Sequence, residues 1–454
     1  MSRKIFIIAM SLMVVLLQGA KHSFAASVTV EVGADTPAVS IGETHCITAR
    51  VLLRPSGASG KGRAPIAAAL VIDKSGSMQQ DGKIENAKRG ALEALKMLGA
   101  RDIAAVIAYD TRSFVITKAR AVNEMADFAK GISRLEAGGS TALYDGVKKG
   151  AKEIERFLES GYIPRIILLS DGLANVGPSS VRELASLGRS LSRQGITITT
   201  IGLGLDYDED LMTALAAESG GNAYFARTRD RLEDIFRRDM EDATAITGRG
   251  VRITLSCEDG VRPIRSVGRT GKSGAKEIVV DIENLYGAEK YAIFELEVPA
   301  SDIETTMRAA TIKVEYTDAL LGSAVALESS LDIEYTSRED YAGERRNIQI
   351  SAQAETARNA EILEQAVKLS DSGKAEEASA LLRHRVEYIK RAAPIAYRHD
   401  KSIQEDMDHF SSLAEDISTV GGMSNEERKS NVNKIFRKMN QQSPVSSPDD
   451  KELP

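Results

Sequence analysis

The stretch IAAALVIDKSGSM, residues 66–78, decides the reading of the fold. Every side chain from Ile66 to Ile72 is apolar. Asp73 then breaks the run, and Ser75 and Ser77 follow at alternate positions around Gly76. An unbroken apolar strand is buried on both faces, as strands of a parallel sheet covered by helices are. Ending it in a carboxylate and two hydroxyls sets hard oxygen groups at the carboxyl edge of the sheet, where α/β folds bind ligands.

Working outward, apolar strands alternate with amphipathic helices across residues 65–248. DIAAVIAYD, SFVITKA, PRIILLSDG and ITITTIGLG read as strands. GKIENAKRGALEALKML reads as a helix, with Ile84, Ala87, Ala91, Leu95 and Leu98 near one face. TALYDGVKKGAKEIERFLE, SSVRELASLGRSLSRQG, DEDLMTALAAES and RDRLEDIFRRDMEDA read likewise. The pattern predicts a Rossmann-like, doubly wound α/β domain with a mostly parallel sheet.

On either side the period changes to two. SVTVEVGA and HCITARVLL, within residues 26–60, are strand-like. So are VRITLSC, EIVVDIENL, KYAIFELEVP, MRAATIKVEYTD and SSLDIEYT within residues 249–336. Two short strands cannot stand alone. The first group is therefore expected to join the second in a β-sandwich-like domain, with the α/β domain inserted through the flexible segment RPSGASGKGRAP. Residues 338–441 read as a helical region, opening with two helices joined by DSGK, and residues 442–454 as a disordered tail.

The N-terminus carries Arg3 and Lys4, an apolar run from Ile5 to Leu17, and small residues at Ser23 and Ala25. This is the pattern of a signal peptide over residues 1–25. It predicts an exported protein, periplasmic or secreted to the cell surface, with no transmembrane segment once the signal is removed. Two thiols in an exported chain point to a Cys46–Cys257 disulfide; the alternative is two free thiols. A net charge of −6 and the lack of any RNA- or DNA-binding signature argue against a nucleic-acid partner.

Two further segments reach the same sheet edge as Asp73. One is GGSTALYDG, residues 138–146, in which Ser140 precedes Thr141; the other is LLSDG, in which Asp171 ends an apolar strand. Two carboxylates and three hydroxyls are oxygen ligands for Mg²⁺, with Mn²⁺ or Ca²⁺ as alternatives. With IGLG and ESGGNAYFA further on, these motifs resemble the von Willebrand factor type A domain family over about 180 residues. The resemblance implies a metal-ion-dependent adhesion site made of Asp73, Ser75, Ser77, Thr141 and Asp171. It also implies a protein partner that offers an Asp or Glu carboxylate to the ion. The neighbouring loops YDTRSF and NVGPSS supply partner-contact candidates, Arg112 and Asn175.

Other motifs are weaker. GLDYDED, residues 204–210, lacks the glycine and closing glutamate of a calcium loop and reads as a solvated loop before a helix. GRTGKS, residues 268–273, lacks the first glycine of a phosphate loop and reads as a hairpin turn. None of the five histidines lies in the α/β domain, and no HExxH or GxSxG motif is present. The expectation is therefore a non-enzymatic, metal-dependent binding module for adhesion or assembly. The alternatives are a metal-dependent hydrolase using the same site and an accessory protein like those of calcium-activated channels.

Overall fold

The computed structural model describes residues 27–55, 64–226, 229–319, 321–392 and 400–442. The signal segment, most of RPSGASGKGRAP and the tail from residue 443 lie outside the described residues. The chain opens with β1 (Val28–Ala34), β2 (Ala38–Ser40) and β3 (His45–Pro55). The α/β unit follows: β4 (Ile66–Asp73), α1 (Lys83–Met97), β5 (Ile103–Tyr109), β6 (Ser113–Ala121), α2 (Met125–Ser133), α3 (Leu143–Ile154), β7 (Ile163–Ser170), α4 (Val181–Ser192), β8 (Thr197–Leu203), α5 (Glu209–Ser219), β9 (Ala223–Ala226) and α6 (Arg229–Thr244).

Its sheet runs in the order β6-β5-β4-β7-β8-β9, parallel except for the β5–β6 pair. Every residue of β4 is buried, as the unbroken apolar run requires. Leu70 and Ile72 face a core shared with α1, α2 and α6. Ala69 and Val71 face the opposite core, shared with α3, α4 and α5. From β4 the chain moves outward through β5 and β6, then crosses back to start β7 on the other side. The ends of β4 and β7 therefore form the switch point at which doubly wound sheets open a crevice.

The second unit holds β10 (Gly248–Cys257), β11 (Arg262–Val267), β12 (Lys272–Ser273), β13 (Glu277–Leu285), β14 (Lys290–Val298), β15 (Thr305–Asp318) and β16 (Ala324–Thr336). One sheet is ordered β1-β3-β14-β11 and the other β12-β13-β10-β15-β16-β2. The N-terminal strands thus enter both sheets, and their apolar faces share one core with β10, β13, β14 and β15. GRTGKS is a correction: it is not a hairpin, because it carries the chain from β11 in one sheet to β12 in the other, turning at Gly268 with φ +77°.

The Cys46–Cys257 disulfide is a second correction. Both cysteines lie in the sandwich but remain free. Cys46 sits on β3 with its side chain exposed, whereas Cys257 ends β10 in the other sheet and faces the core between the sheets. Strand periodicity turns the two thiols to different sides, and burial pushes the Cys257 thiol up to about 11.

The helical region comprises α7 (Glu339–Glu344), α8 (Ile348–Asp371), α9 (Ala375–Ala392), α10 (Lys401–Val420) and α11 (Asn425–Asn440). α8 is tied to the sandwich by Arg358–Glu295 and Arg265–Glu361, each at 2.8 Å. α11 spans both units. Asn433 donates to the Ala223 carbonyl at 3.1 Å, and Gln441 beyond the helix pairs with both backbone groups of Tyr291 at 2.7 and 2.8 Å. Among the described residues no helix is long and apolar enough to cross a membrane.

Candidate metal site

Asp73 is the last residue of β4 and is fully buried. Its Oδ1 accepts the Ser75 backbone N–H at 2.8 Å, which folds the chain back so that alternate serines face one way. Its Oδ2 accepts Ser170 Oγ at 2.6 Å and Tyr109 Oη at 3.3 Å. Burial pushes this carboxyl up to about 6, against the hydrogen bonds from Ser170 and Ser75, with the nearby Asp171 adding to the rise.

The hydroxyls converge on the same point. Ser75 Oγ lies 3.1 Å from Ser77 Oγ, and Ser77 Oγ donates to Asp171 Oδ1 at 2.8 Å. A methyl group placed on Gly172 would stand 3.2 Å from Ser77 Oγ, 3.5 Å from Thr141 Oγ1 and 3.7 Å from Ser75 Oγ. The five candidate ligands, Asp73, Ser75, Ser77, Thr141 and Asp171, therefore surround one small space at the ends of β4 and β7. Of the two neighbouring hydroxyl residues at the third segment, Thr141 is buried and faces this space, while Ser140 is half-buried with its N–H bound to Thr111 Oγ1.

The loop that carries Thr141 is fixed by backbone bonds. Gly138 N–H donates to the Lys74 carbonyl, Gly76 N–H to the Gly139 carbonyl, and Ala142 N–H to the Asp110 carbonyl. Gly139 has φ +83°, and a Cβ there would meet Thr111 Oγ1 at 2.9 Å, so this turn requires glycine. Asn175 accepts the Thr141 N–H at 2.8 Å through Oδ1. Its side-chain carbonyl thus holds Thr141 in place, while the residue itself is exposed. Arg112 is exposed on the β5–β6 turn, with its N–H on Asp110 Oδ1 at 3.0 Å.

Two groups at the site escaped the sequence reading. Ser170 stands beside Asp171 in LLSDG, and its alternation with Leu169 on the strand was the available signal. Lys83 opens α1 and is buried; its ammonium lies 2.9 Å from Asp171 Oδ2 and 2.8 Å from Asp206 Oδ2. No spacing rule in the sequence places Lys83 beside Asp171. GLDYDED, in turn, is more than a solvated loop, since Asp206 holds Lys83 and Asp208 caps α5 through the Leu211 N–H at 2.9 Å.

The residues fit a divalent ion. Asp171 is fully buried, its Oδ1 accepts Ser77 Oγ, and its Oδ2, against which the Lys83 ammonium stands at 2.9 Å, has no aligned donor among the described residues, so the carboxylate keeps acceptor capacity for a cation. Three hydroxyls and two buried carboxylates form the donor set. Among the described residues no group of three or more His, Cys, Asp or Glu side chains could hold an ion, so any metal here relies on neutral hydroxyls and water for most of its coordination.

Residues 69–238 match the family model of the von Willebrand factor type A domain. The chain is 33% identical over 177 residues to an uncharacterized protein of Synechocystis sp., an alignment covering 39% of this chain and 41% of that protein. It is 30% identical over 165 residues to human inter-alpha-trypsin inhibitor heavy chain H4, covering 34% of this chain and 17% of that one. The chain thus spans less than half the length of these curated relatives. Among solved structures, a von Willebrand factor type A protein from Catenulispora acidiphila superposes with a TM-score of 0.65 at 16% identity, over 87% of this chain and 96% of that one. That likeness is one of fold.

Proposed function

We propose, from the match of residues 69–238 to the von Willebrand factor type A domain, that the protein captures a protein partner through a divalent cation held by Asp73, Ser75, Ser77, Thr141 and Asp171. Domains of this family commonly take part in protein–protein interaction. The observation that carries the reading is the convergence of three hydroxyls and two buried carboxylates around Gly172 at the switch point of the sheet.

Asp73 and Asp171 would balance the charge of Mg²⁺, the favoured ion, or of Mn²⁺ or Ca²⁺, while the hydroxyls of Ser75, Ser77 and Thr141 add no charge. An ion so held stays electrophilic, and a position facing solvent favours an outside anion. On a protein partner that anion is an Asp or Glu carboxylate. The rim offers apolar contacts beside it: Phe114, Leu173 and Leu205 are exposed at the same end of the sheet. Arg112 on the outer turn is the candidate cationic contact. The signal-like N-terminus supports capture outside the cytoplasm, in the periplasm or at the cell surface.

The test is crosslinking and recovery of the native envelope partner by the full chain. Capture should fall in EDTA, return with Mg²⁺ or Mn²⁺, and fall in Asp171→Ala. Capture that persists in both EDTA and the variant would place the partner on the sandwich or the helical region and end this reading.

A further inference from the structure

Three observations concern Lys83. First, its ammonium forms an ion pair with the buried Asp171 Oδ2 at 2.9 Å. Second, a hydrogen bond goes outward, from Nζ to Asp206 Oδ2 at 2.8 Å, and the Asp206 side chain is 64% exposed. Third, the lysine arm runs beside Gly204, which ends the β8 segment at φ +74°; a Cβ there would stand 3.1 Å from Lys83 Cε. The arm thus has a passage with one carboxylate at the metal cluster and another at the surface.

We infer that Lys83 is a resident cation that shares Asp171 with the metal ion and thereby sets how tightly the divalent ion binds. The inference rests on the metal-site reading above and goes beyond it by assigning an affinity-setting role to a residue that is not a ligand. Without the ion, the ammonium offsets the charge of the buried Asp171 carboxylate, which would otherwise be costly. With the ion in place, like charges stand close together in a poorly solvated space, and the ammonium is repelled. Asp206 gives it a second partner, so the repulsion is relieved by a short shift of the ammonium rather than by unfolding of the loop.

The two partners of Lys83 give opposite signs. Lys83→Gln removes the competing charge and keeps a polar end for Asp171, so divalent-ion affinity rises about tenfold or more. Asp206→Asn removes the outer partner, leaves the ammonium on Asp171 and lowers affinity several-fold. A lysine that merely orients Asp171 for the metal would give weaker binding in Lys83→Gln.

The experiment is calorimetric titration of the full mature chain with Mg²⁺ and, separately, Mn²⁺. It compares wild type, Lys83→Gln, Asp206→Asn and Asp73→Ala, each checked for a cooperative melt. Tighter binding in Lys83→Gln with weaker binding in Asp206→Asn supports the role. Unchanged or weaker binding in a folded Lys83→Gln overturns it, and so does Asp206→Asn binding as tightly as wild type if Lys83→Gln fails to fold. The metal-site reading fails on a different result, wild type and Asp73→Ala binding the ion equally or neither binding it.

Discussion

Asp73 carries most of the chemistry at the residue scale, and its environment makes a pH prediction. Its folded value of about 6 lies above the unfolded carboxylate range, chiefly because burial disfavours the charged form. The group therefore costs no stability below about pH 4, where it is protonated in both states. The cost grows as pH rises and is complete above the folded value, reaching on the order of 3 kcal/mol. Metal-free protein should lose thermal stability between about pH 4 and pH 7, and Asp73→Asn should remove that component. Saturating Mg²⁺ should flatten the same slope, because the ion selects the ionised carboxyl. A melting profile that is equally steep in Asp73→Asn would show that another group is responsible. The free cysteines give a second check: unfolded, unreduced protein should titrate as two thiols, and none would restore the bridge that the sheet geometry denies.

Among the elements, two local features hold the site in position. The turn before Thr141 depends on Gly139 at φ +83°. Gly139→Ala should cost about 1–2 kcal/mol from backbone strain, more if Thr111 cannot move aside, and should weaken Mg²⁺ binding by displacing Thr141. Thermal melts and calorimetry on the same preparation would separate the two effects. Behind the sheet, β7 is anchored to α6 by Arg165, whose Nε donates to Asp239 Oδ2 at 2.9 Å while Thr199 Oγ1 donates to Asp239 Oδ1 at 2.7 Å. Both Arg165 and Asp239 are buried. Asp239→Ala leaves a guanidinium without its carboxylate, which should cost about 3–5 kcal/mol in denaturant unfolding; a loss below about 1 kcal/mol would show that Thr199 and the Tyr286 ring suffice.

The strands legible in the sequence were those with strong patterns. IAAALVID and PRIILLSDG are unbroken apolar runs, and the segments from residue 277 onward alternate cleanly. β9 and β11 were not read: Ala223–Ala226 has four residues, and Pro263 with Arg262 and Arg265 breaks the alternation of β11. α2 was missed because its short helix has only Phe128 and Ile132 buried. Of the site, the five oxygen-bearing residues were legible because each follows a strand or opens a helix. Lys83 was not, since its place depends on how the β8–α5 loop returns to the cluster, a contact across 123 residues of chain.

Across the whole molecule, α11 joins the C-terminal helices to the end of the α/β unit that carries the candidate site. Asn425 donates to the Leu205 carbonyl at 3.0 Å, Arg428 pairs with Asp210 and Asp371 at 2.7 Å, and Arg428 and Lys429 both bind the buried Glu209. The Lys429 ammonium also lies 4.4 Å from the Tyr207 ring. Loop 204–210 is thus held from one side by Lys83 and from the other by α11. Replacing Arg428 and Lys429 together by alanine should speed amide hydrogen exchange in this loop while leaving the sandwich strands protected. Unchanged exchange would mean that Asn425 and the packing of Phe436 against Ala216 and Ala223 dominate.

Anomalous diffraction from crystals soaked in Mn²⁺ would locate the ion. The prediction is a strong anomalous peak enclosed by Asp73, Ser75, Ser77, Thr141 and Asp171, absent from Asp73→Ala crystals of the same form. An empty cluster with Mn²⁺ bound elsewhere on the chain, or a peak that survives in Asp73→Ala, would contradict it.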